Sequence, residues 1–497
     1  MKTEKITVNE LFSGIGAQIS ALERLGIPFE IKHTSDIDHN AVLAYASIHC
    51  GLTEELINTY AEYPTREEMA RQLTEINLGY DFQKNKPYNW YRFVNSKSKE
   101  LEKYWLANKL SRNLGDISKL EHLDYADFWT YSFPCQSVSV SGKQEGIIKG
   151  KTRSGLLYEV QRLLEKADKM LALPKYLMLE NVKNLVGKKF KPQFDEWVAW
   201  LDELGYNTYW KVLNAKDYGV PQNRERVFVI SVRKDIDDGK FEFPQPFDNG
   251  VRLKDVLEDN VDEKYYLSED IQNRLIITDK TLTKNIIGTT KPSFRTIGQR
   301  DVVYSENSIM GTLVATDYKQ PKQILETNRC VKVGDLNYYP YETSNRVYSK
   351  EGISPTLTTM QGGNTEPKIA EPIAYVKEAT KKGYAEIYEG DSVNLEQPNS
   401  KTRRGRVGKG CAQTLTTSCN QAIVELETKS FRVRKLTPRE CYRLMGFTDE
   451  QFDKSQAFSS DSQLYKQTGN SIVVDVLYYI FGKLFEVNIE TRKEIEC

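Results

Sequence analysis

Glu10-Leu11-Phe12-Ser13-Gly14-Ile15-Gly16-Ala17 closes an apolar run, Ile6–Phe12, and opens a helical pattern, Gln18–Leu25. A strand that passes into a helix through two glycines is the first turn of a nucleotide-binding α/β sheet, because glycine lets the backbone approach a ligand. Alone the turn is a weak signal, since glycines also serve tight packing. The residues beyond it repeat the theme. Phe29–Ser35 reads as a second strand and Asn40–Ile48 as its helix. Further strand-like runs stand at Phe128–Phe133, Tyr176–Leu179 and Val227–Val232. Apolar runs alternating with helical patterns over residues 5–231 predict an α/β domain whose sheet is mostly parallel, with helices on both faces.

At 497 residues the chain is too long for one core. The α/β domain is expected to span 1–245, with a helical insertion at about 51–111. In that insertion Pro64-Thr65-Arg66-Glu67-Glu68 carries a capping-box spacing, and Met69, Leu73 and Ile76 share one helical face. It reads as an inserted decoration. After Phe243-Pro244-Gln245-Pro246 the composition turns to Thr, Gly and Asn with short β-like runs, which predicts a smaller, irregular β-rich domain over 246–430. Helix restarts at Arg434-Lys435-Leu436-Thr437-Pro438-Arg439-Glu440 and ends in an apolar helix, Ile472–Phe485, so 431–497 is expected to return to the first domain.

Lys+Arg and Asp+Glu both number 69, so no global positive field draws the chain to nucleic acid, and any such surface must be local. Seven scattered cysteines, an odd number, argue against a disulfide framework and for a reducing compartment. The first residues lack the apolar core of a signal peptide, and no run approaches the ~18 apolar residues of a membrane span. A soluble cytoplasmic protein is expected, without membrane or metal partners.

Three chemical groups fall at strand ends. Ser132-Phe133-Pro134-Cys135-Gln136-Ser137-Val138-Ser139-Val140-Ser141-Gly142-Lys143 sets a lone cysteine on a Pro turn after an apolar stretch. A thiolate there is a nucleophile when a nearby cation lowers its pKa, although a single Cys is more often an inert small hydrophobe. Glu180 follows Tyr176–Leu179, and Pro221-Gln222-Asn223-Arg224-Glu225-Arg226 precedes the next strand. An isolated Glu with two Arg is usually a solvated ion pair. Nucleophile, acid and cation at successive strand ends of one sheet are a catalytic set. Asp36, at the end of the second strand, reads equally as an acid for ribose hydroxyls or as a helix cap. Asp116, in Gly115-Asp116-Ile117, is an acid placed to meet an adenine amino group.

These stretches, in this order, resemble the cytosine-C5 DNA methyltransferases of the bacterial and phage modification type. The resemblance runs through Phe12–Ala17, Asp36, Gly115–Ile117, Phe133–Gly142, Arg153–Leu157, Glu180–Val182, Gln222–Arg226, Arg434–Phe447 and Gln467-Thr468-Gly469-Asn470-Ser471. Glu10 and Ala17 stand where Asp and Gly are common. The resemblance implies a Rossmann-like S-adenosylmethionine-dependent fold, with the β-rich domain as target recognition domain. It makes Cys135 the nucleophile at cytosine C6, Glu180 the partner of N3 and the exocyclic amine, and Arg226 the holder of O2, with Arg224 beside it. For S-adenosylmethionine it implies Phe12 stacking on adenine, Gly14 and Gly16 at the methionine part, Asp36 on the ribose and Asp116 on the adenine amine. Ile37, Ile117, Pro134, Leu156, Asn470 and Ser471 complete that site. Gln136, Ser139, Ser141 and Lys143 lie on a loop to Arg153 that closes over a base flipped from double-stranded DNA. A monomer is expected, with a restriction endonuclease of the same site as a potential counterpart. A tRNA methyltransferase shares these motifs with a shorter recognition region, and the 207 residues between Arg226 and Arg434 favour DNA. A catalytically dead binder would lack Cys, Glu or Arg, and all are present.

The recognition region contains a repeat. Val303-Tyr304-Ser305 and Val347-Tyr348-Ser349 are followed in one register by Ile309, Thr312-Leu313 and by Ile353, Thr356-Leu357, at an offset of 44. A looser copy runs from Arg406-Val407 to Thr414-Leu415. Gln361, Arg403, Arg404 and Arg406, in polar and Gly-rich turns, are the side chains expected to face DNA, since Arg and Gln read G and A edges. A plain β-meander explains the Leu positions alone.

Overall fold

The computed structural model describes residues 5–265 apart from 82–83, 85, 136, 139–144 and 252. It further describes 286–289, 302–305, 309–315, 317 and 321–327, separate strands between 332 and 435, and 436–487. The chain forms two compact units: 1–265, 273–324 and 435–497 make the first, and 266–272 with 325–434 the second.

In the first unit, β1 (Ile6–Leu11), α1 (Ala17–Arg24), β2 (Phe29–Ser35) and α2 (His39–His49) follow the expected order. After them come α3 (Glu54–Thr59), α4 (Arg66–Glu75), α5 (Glu100–Leu110) and β3 (Phe128–Tyr131). Then follow α6 (Leu157–Lys169), β4 (Tyr176–Val182), α7 (Lys191–Glu203), β5 (Tyr206–Asn214), β6 (Gln222–Asn223) and β7 (Glu225–Arg233). The six-stranded sheet has the order β2-β1-β3-β4-β7-β5. All neighbours pair parallel up to β4, and β7 runs antiparallel between β4 and β5.

Successive strand residues serve opposite faces. Val8, Phe128 and Met178 join one core with Ile19 and Leu22 of α1, whereas Trp129, Leu177 and Leu179 join the other with Leu163 of α6 and Phe194 and Trp197 of α7. Helices therefore cover both faces. The C-terminal return supplies α8 (Pro438–Leu444), α9 (Asp449–Gln456), α10 (Asp461–Asn470) and α11 (Val474–Leu484). Thr437 and Glu440 close a reciprocal capping box at α8, which is why helix restarts there. α11 lies on the first core: Phe481 packs edge-on to Phe128, and Arg24 of α1 reaches the fully buried Asp475 at 3.1 Å.

The insertion builds a third core from Met69, Leu73, Trp90, Leu101 and Trp105 with Val42, Leu43 and Ala46 of α2. Only half of its capping box forms. Thr65 accepts from Glu68 N at 3.2 Å, but the Glu68 carboxylate turns to Arg71 and Gln72 instead.

The repeat has a physical counterpart. β8 (Ile286–Thr289) and β9 (Val302–Ser305) pair antiparallel, with Tyr304 opposite Ile286 and a bulge between Ile286 and Gly288. Lys332–Asp335 and Arg346–Ser349 pair likewise, with Tyr348 opposite Lys332 and a bulge between Lys332 and Gly334. The two hairpins belong to different units. β10 (Met310–Gly311) pairs parallel with β6, so residues 273–324, read from the sequence as part of the recognition domain, group with the first unit. Gln361, Arg403, Arg404 and Arg406 lie outside the described residues, as do Ile353, Thr356-Leu357 and Thr414-Leu415. Among the described residues no helix is long and apolar enough to cross a membrane.

Candidate active site

The glycine turn works through two different requirements. Phe12, Gly14 and Gly16 all take positive φ, 57°, 55° and 78°. A Cβ on Gly16 would come within 2.5 Å of His49 Nε2, so this glycine lets α2 pack against the turn. A Cβ on Gly14 would meet nothing within 4 Å, and the Gly14 N–H donates to Asp36 Oδ2 at 2.9 Å. Below the turn the Glu10 carboxyl is wholly buried and accepts from Tyr45 Oη at 2.8 Å. Burial pushes its pKa up to about 8.

Asp36 ends β2 as an acid rather than a cap. The cap of α2 is Asp38, whose carboxylate accepts from Asn40 N. Asp36 Oδ1 accepts from Asp38 N at 2.8 Å, and burial followed by the neighbouring Asp38 raises the Asp36 pKa to about 6. Asn113, which sequence reading missed, brackets the Asp36 backbone by accepting from its N–H at 2.8 Å and donating to its carbonyl at 3.0 Å. Ser35 Oγ donates to Gly115 O at 2.7 Å, which aligns Gly115-Asp116-Ile117 with the end of β2. Asp116 caps a short turn by accepting from Ser118 N and Oγ.

The C-terminal return closes on the same end of the sheet. Lys466 Nζ meets Asp38 Oδ2 at 2.6 Å and Gln467 Nε2 donates to Asn40 O at 3.2 Å. Asn470 lies one helical turn beyond Lys466, exposed at the end of α10, and Ser471 is buried just after it.

The half-buried Cys135 sits on a loop held by three side chains: Ser154 Oγ donates to Pro134 O at 2.7 Å, Asn181 Nδ2 to Phe133 O at 3.1 Å and Asn184 Nδ2 to Val138 O at 2.6 Å. The thiol is pushed up by burial and then by Glu180, and pulled down by Arg226 and Arg224. Glu180 is buried at the carboxyl end of β4, its pKa raised by burial and lowered by the same two arginines. Arg226 Nε lies 3.1 Å from Glu180 Oε1. Thiol, acid and cation thus feel one another's charge at the ends of β3, β4 and β7.

Arg224 has a different position. Its guanidinium is buried and donates to Leu313 O at 2.7 Å, to Ser471 O at 2.6 Å and to Gly469 O at 3.3 Å. Burial lowers its pKa to about 9. Gln222 joins the same knot, accepting from Leu313 N at 3.0 Å and donating to Leu444 O at 2.8 Å, while Thr312 Oγ1 donates to Asn223 O at 2.6 Å. A Cβ on Gly469 would come within 2.2 Å of Ala315 N, so glycine is required for that approach. The first Thr-Leu copy is therefore tied to β6 through Gln222 and Asn223, and to Arg224 just after it. Gln136, Ser139, Ser141 and Lys143 lie outside the described residues. Among the described residues no group of three His, Cys, Asp or Glu side chains is placed to hold a metal ion.

Comparison with known proteins agrees with this arrangement. Residues 77–486 match the family model for C-5 cytosine-specific DNA methylase. The type II methyltransferase M2.ScrFI of Lactococcus lactis subsp. cremoris is 32% identical, over 97% of this chain and 99% of its own. The orphan methyltransferase M.SssI of Spiroplasma monobiae is 35% identical, over 74% of this chain and 83% of its own. The orphan methyltransferase M.SPBetaI of Bacillus phage SPbeta is 28% identical, over 99% of this chain and 100% of its own. The match of that model to most of the chain, over a mostly parallel sheet with thiol, acid and cation at its strand ends, places the chain in the C-5 cytosine-specific DNA methylase family, as a DNA (cytosine-5)-methyltransferase.

Proposed function

We propose that this enzyme transfers the methyl group of S-adenosylmethionine to C5 of a cytosine flipped out of a specific duplex sequence, through a bond between Cys135 Sγ and C6. The observation that carries this reading is the mutual electrostatic contact of Cys135, Glu180 and Arg226 at adjacent strand ends. Cytosine C5 is a poor nucleophile. Attack of the Cys135 thiolate at C6 forms a C–S bond and moves the ring's electron pair onto C5. Glu180, whose pKa is raised by burial against the pull of the two arginines, hydrogen-bonds N3 and the exocyclic amine and stabilises the charge arriving on the ring. Arg226 fixes the Glu180 carboxyl and is free to meet the base O2 with a remaining N–H. After C5 has accepted the methyl, its proton leaves to solvent, the electron pair returns to the ring and the C–S bond breaks. A base inside a duplex cannot reach these groups, hence flipping.

S-adenosylmethionine, when bound, supplies an electrophilic methyl and leaves as a neutral thioether. The residues fit it. Asp36 retains lone pairs for ribose hydroxyls after its two backbone contacts. Space stands open on the Gly14 side of the turn, and Asn470 ends the helix that Lys466 ties to Asp38. Phe12, Gly16, Ile37, Asp116, Ile117, Pro134, Leu156 and Ser471 keep the roles given above. Base reading falls to the recognition region, with Gln361, Arg403, Arg404 and Arg406 its foremost residues. The type II and orphan phage relatives support a place in restriction-modification or phage anti-restriction.

Bisulfite sequencing of a plasmid expressed with this gene tests the reading. Protection of cytosines at one recurrent sequence is expected, and its loss with Cys135→Ser. Uniform conversion by the wild type overturns it.

A further inference from the structure

We infer that Asn77, contributed by the helical insertion, positions the Asp116 carboxylate and thereby sets the preference of the cofactor site for an amino-purine. The inference rests on the proposed place of Asp116 at the adenine amine. The insertion is more than decoration, because its turn after α4 is bonded to both Ile37 and Asp116, two segments assigned to the cofactor site. Gly79 N donates to Ile37 O at 2.7 Å, and Asp116 N donates to Ile76 O at 2.9 Å. Lys119 Nζ adds a bond to Glu75 O at 2.7 Å. The approach is close enough that a Cβ on Gly115 would lie 2.2 Å from Ile76 O.

Asn77 stands in the middle of this turn with φ 56°, a left-handed conformation that Asn tolerates better than most residues. Its N–H donates to Thr74 O at 3.0 Å, and the next residue, Leu78, is buried in the insertion core. Its side chain donates from Nδ2 to Asp116 Oδ2 at 2.8 Å. A carboxylate offers about four acceptor positions on two oxygens. Oδ1 accepts twice, from Ser118 N at 3.0 Å and Ser118 Oγ at 2.7 Å. Oδ2 accepts once, from Asn77, and keeps one position. That position accepts an amine and repels a carbonyl oxygen, and its direction is fixed by Asn77.

The test is calorimetric binding of two probes, S-adenosylhomocysteine and its inosine counterpart, in which the 6-amino group is replaced by oxygen. Asn77→Gly keeps the left-handed backbone and removes the donor. It should weaken the adenosine probe about 3- to 10-fold and leave the inosine probe nearly unchanged, so that the preference shrinks. Asn77→Asp, isosteric and also tolerant of this backbone, should give the same selective loss. Equal weakening of both probes in both variants, or wild-type affinity for both, overturns the inference. Asp116→Ala separates it from the underlying reading. If that variant loses the preference while the Asn77 variants keep it, Asn77 alone is misassigned. If Asp116→Ala binds both probes as wild type does, the adenine site itself is misplaced.

Discussion

Cys135 rests as a thiol whose proton is held by burial and by Glu180, against the pull of Arg226 and Arg224. Charge changes around it should therefore tune its reactivity in opposite directions. At about pH 8, Glu180→Gln should speed alkylation of Cys135 by iodoacetamide, since the negative charge that raises the thiol is gone. Arg226→Ala should slow it. Both variants should lose methyl transfer, so alkylation and catalysis part company in Glu180→Gln. Equal alkylation rates in all three proteins would show that these groups do not share a field. Glu10 gives a second test at this scale. Its folded pKa is raised to about 8 from an ordinary 4.5, so its contribution to stability is complete below the unfolded value and is lost as pH rises through the folded one. Glu10→Gln keeps an acceptor for Tyr45 and cannot ionise. Thermal unfolding should show the variant more stable than wild type by a few degrees above pH 8, with the gap closing toward pH 4.5. A gap that stays constant with pH would contradict the buried, protonated carboxyl.

Among elements, the join of β6 to β7 and the start of β7 carry two arginines with separate duties. Arg224 holds three backbone carbonyls, two of them in the C-terminal return and one in the first Thr-Leu copy. Lysine cannot reproduce that fork. Arg224→Lys should cost about 2–4 kcal/mol through carbonyls left unpaired in a buried site. Arg226→Lys should cost little stability and most of the activity. Denaturant unfolding beside a methylation assay separates them, and matching losses in both variants would merge the roles. The strands β1, β3, β4 and β7 were legible because apolar runs mark strands buried on both faces, and the edge strand β2 because Phe29-Glu30-Ile31-Lys32 alternates apolar and polar. β5 was not. Tyr206–Asn214 is an edge strand with Trp210 and Lys211 exposed, so its sequence lacks the continuous apolar run. The grouping of Cys135, Glu180 and Arg226 was legible because each stands at a strand end. Asn113, Asn77 and Lys466 were not, because each acts on a partner far along the chain: Asn113 lies 77 residues from Asp36 and Lys466 lies 428 from Asp38. The half-formed capping box at Thr65 shows the converse, a local motif outbid by Arg71 and Gln72.

At the largest scale, one sheet end gathers groups from several separate stretches of the first unit. β1 and β2 bring Phe12, Gly14 and Asp36, the insertion brings Asn77, and the loop after β3 brings Cys135. The return brings Lys466 and Asn470, and the first Thr-Leu copy is tied to β6 and to Arg224 just after it. The central claim for this assembly is a covalent bond from Cys135 to the base. It is tested most directly with a duplex of the recognised sequence containing 5-fluorocytosine at the target, incubated with the enzyme and S-adenosylmethionine. Fluorine in place of the C5 hydrogen removes the proton whose loss releases the thiol. The wild type should give a denaturation-resistant protein–DNA adduct that depends on S-adenosylmethionine and maps by peptide mass to Cys135, and Cys135→Ser should give none. An adduct of equal yield in Cys135→Ser, or none from a wild-type enzyme that methylates the same unmodified duplex, would contradict it.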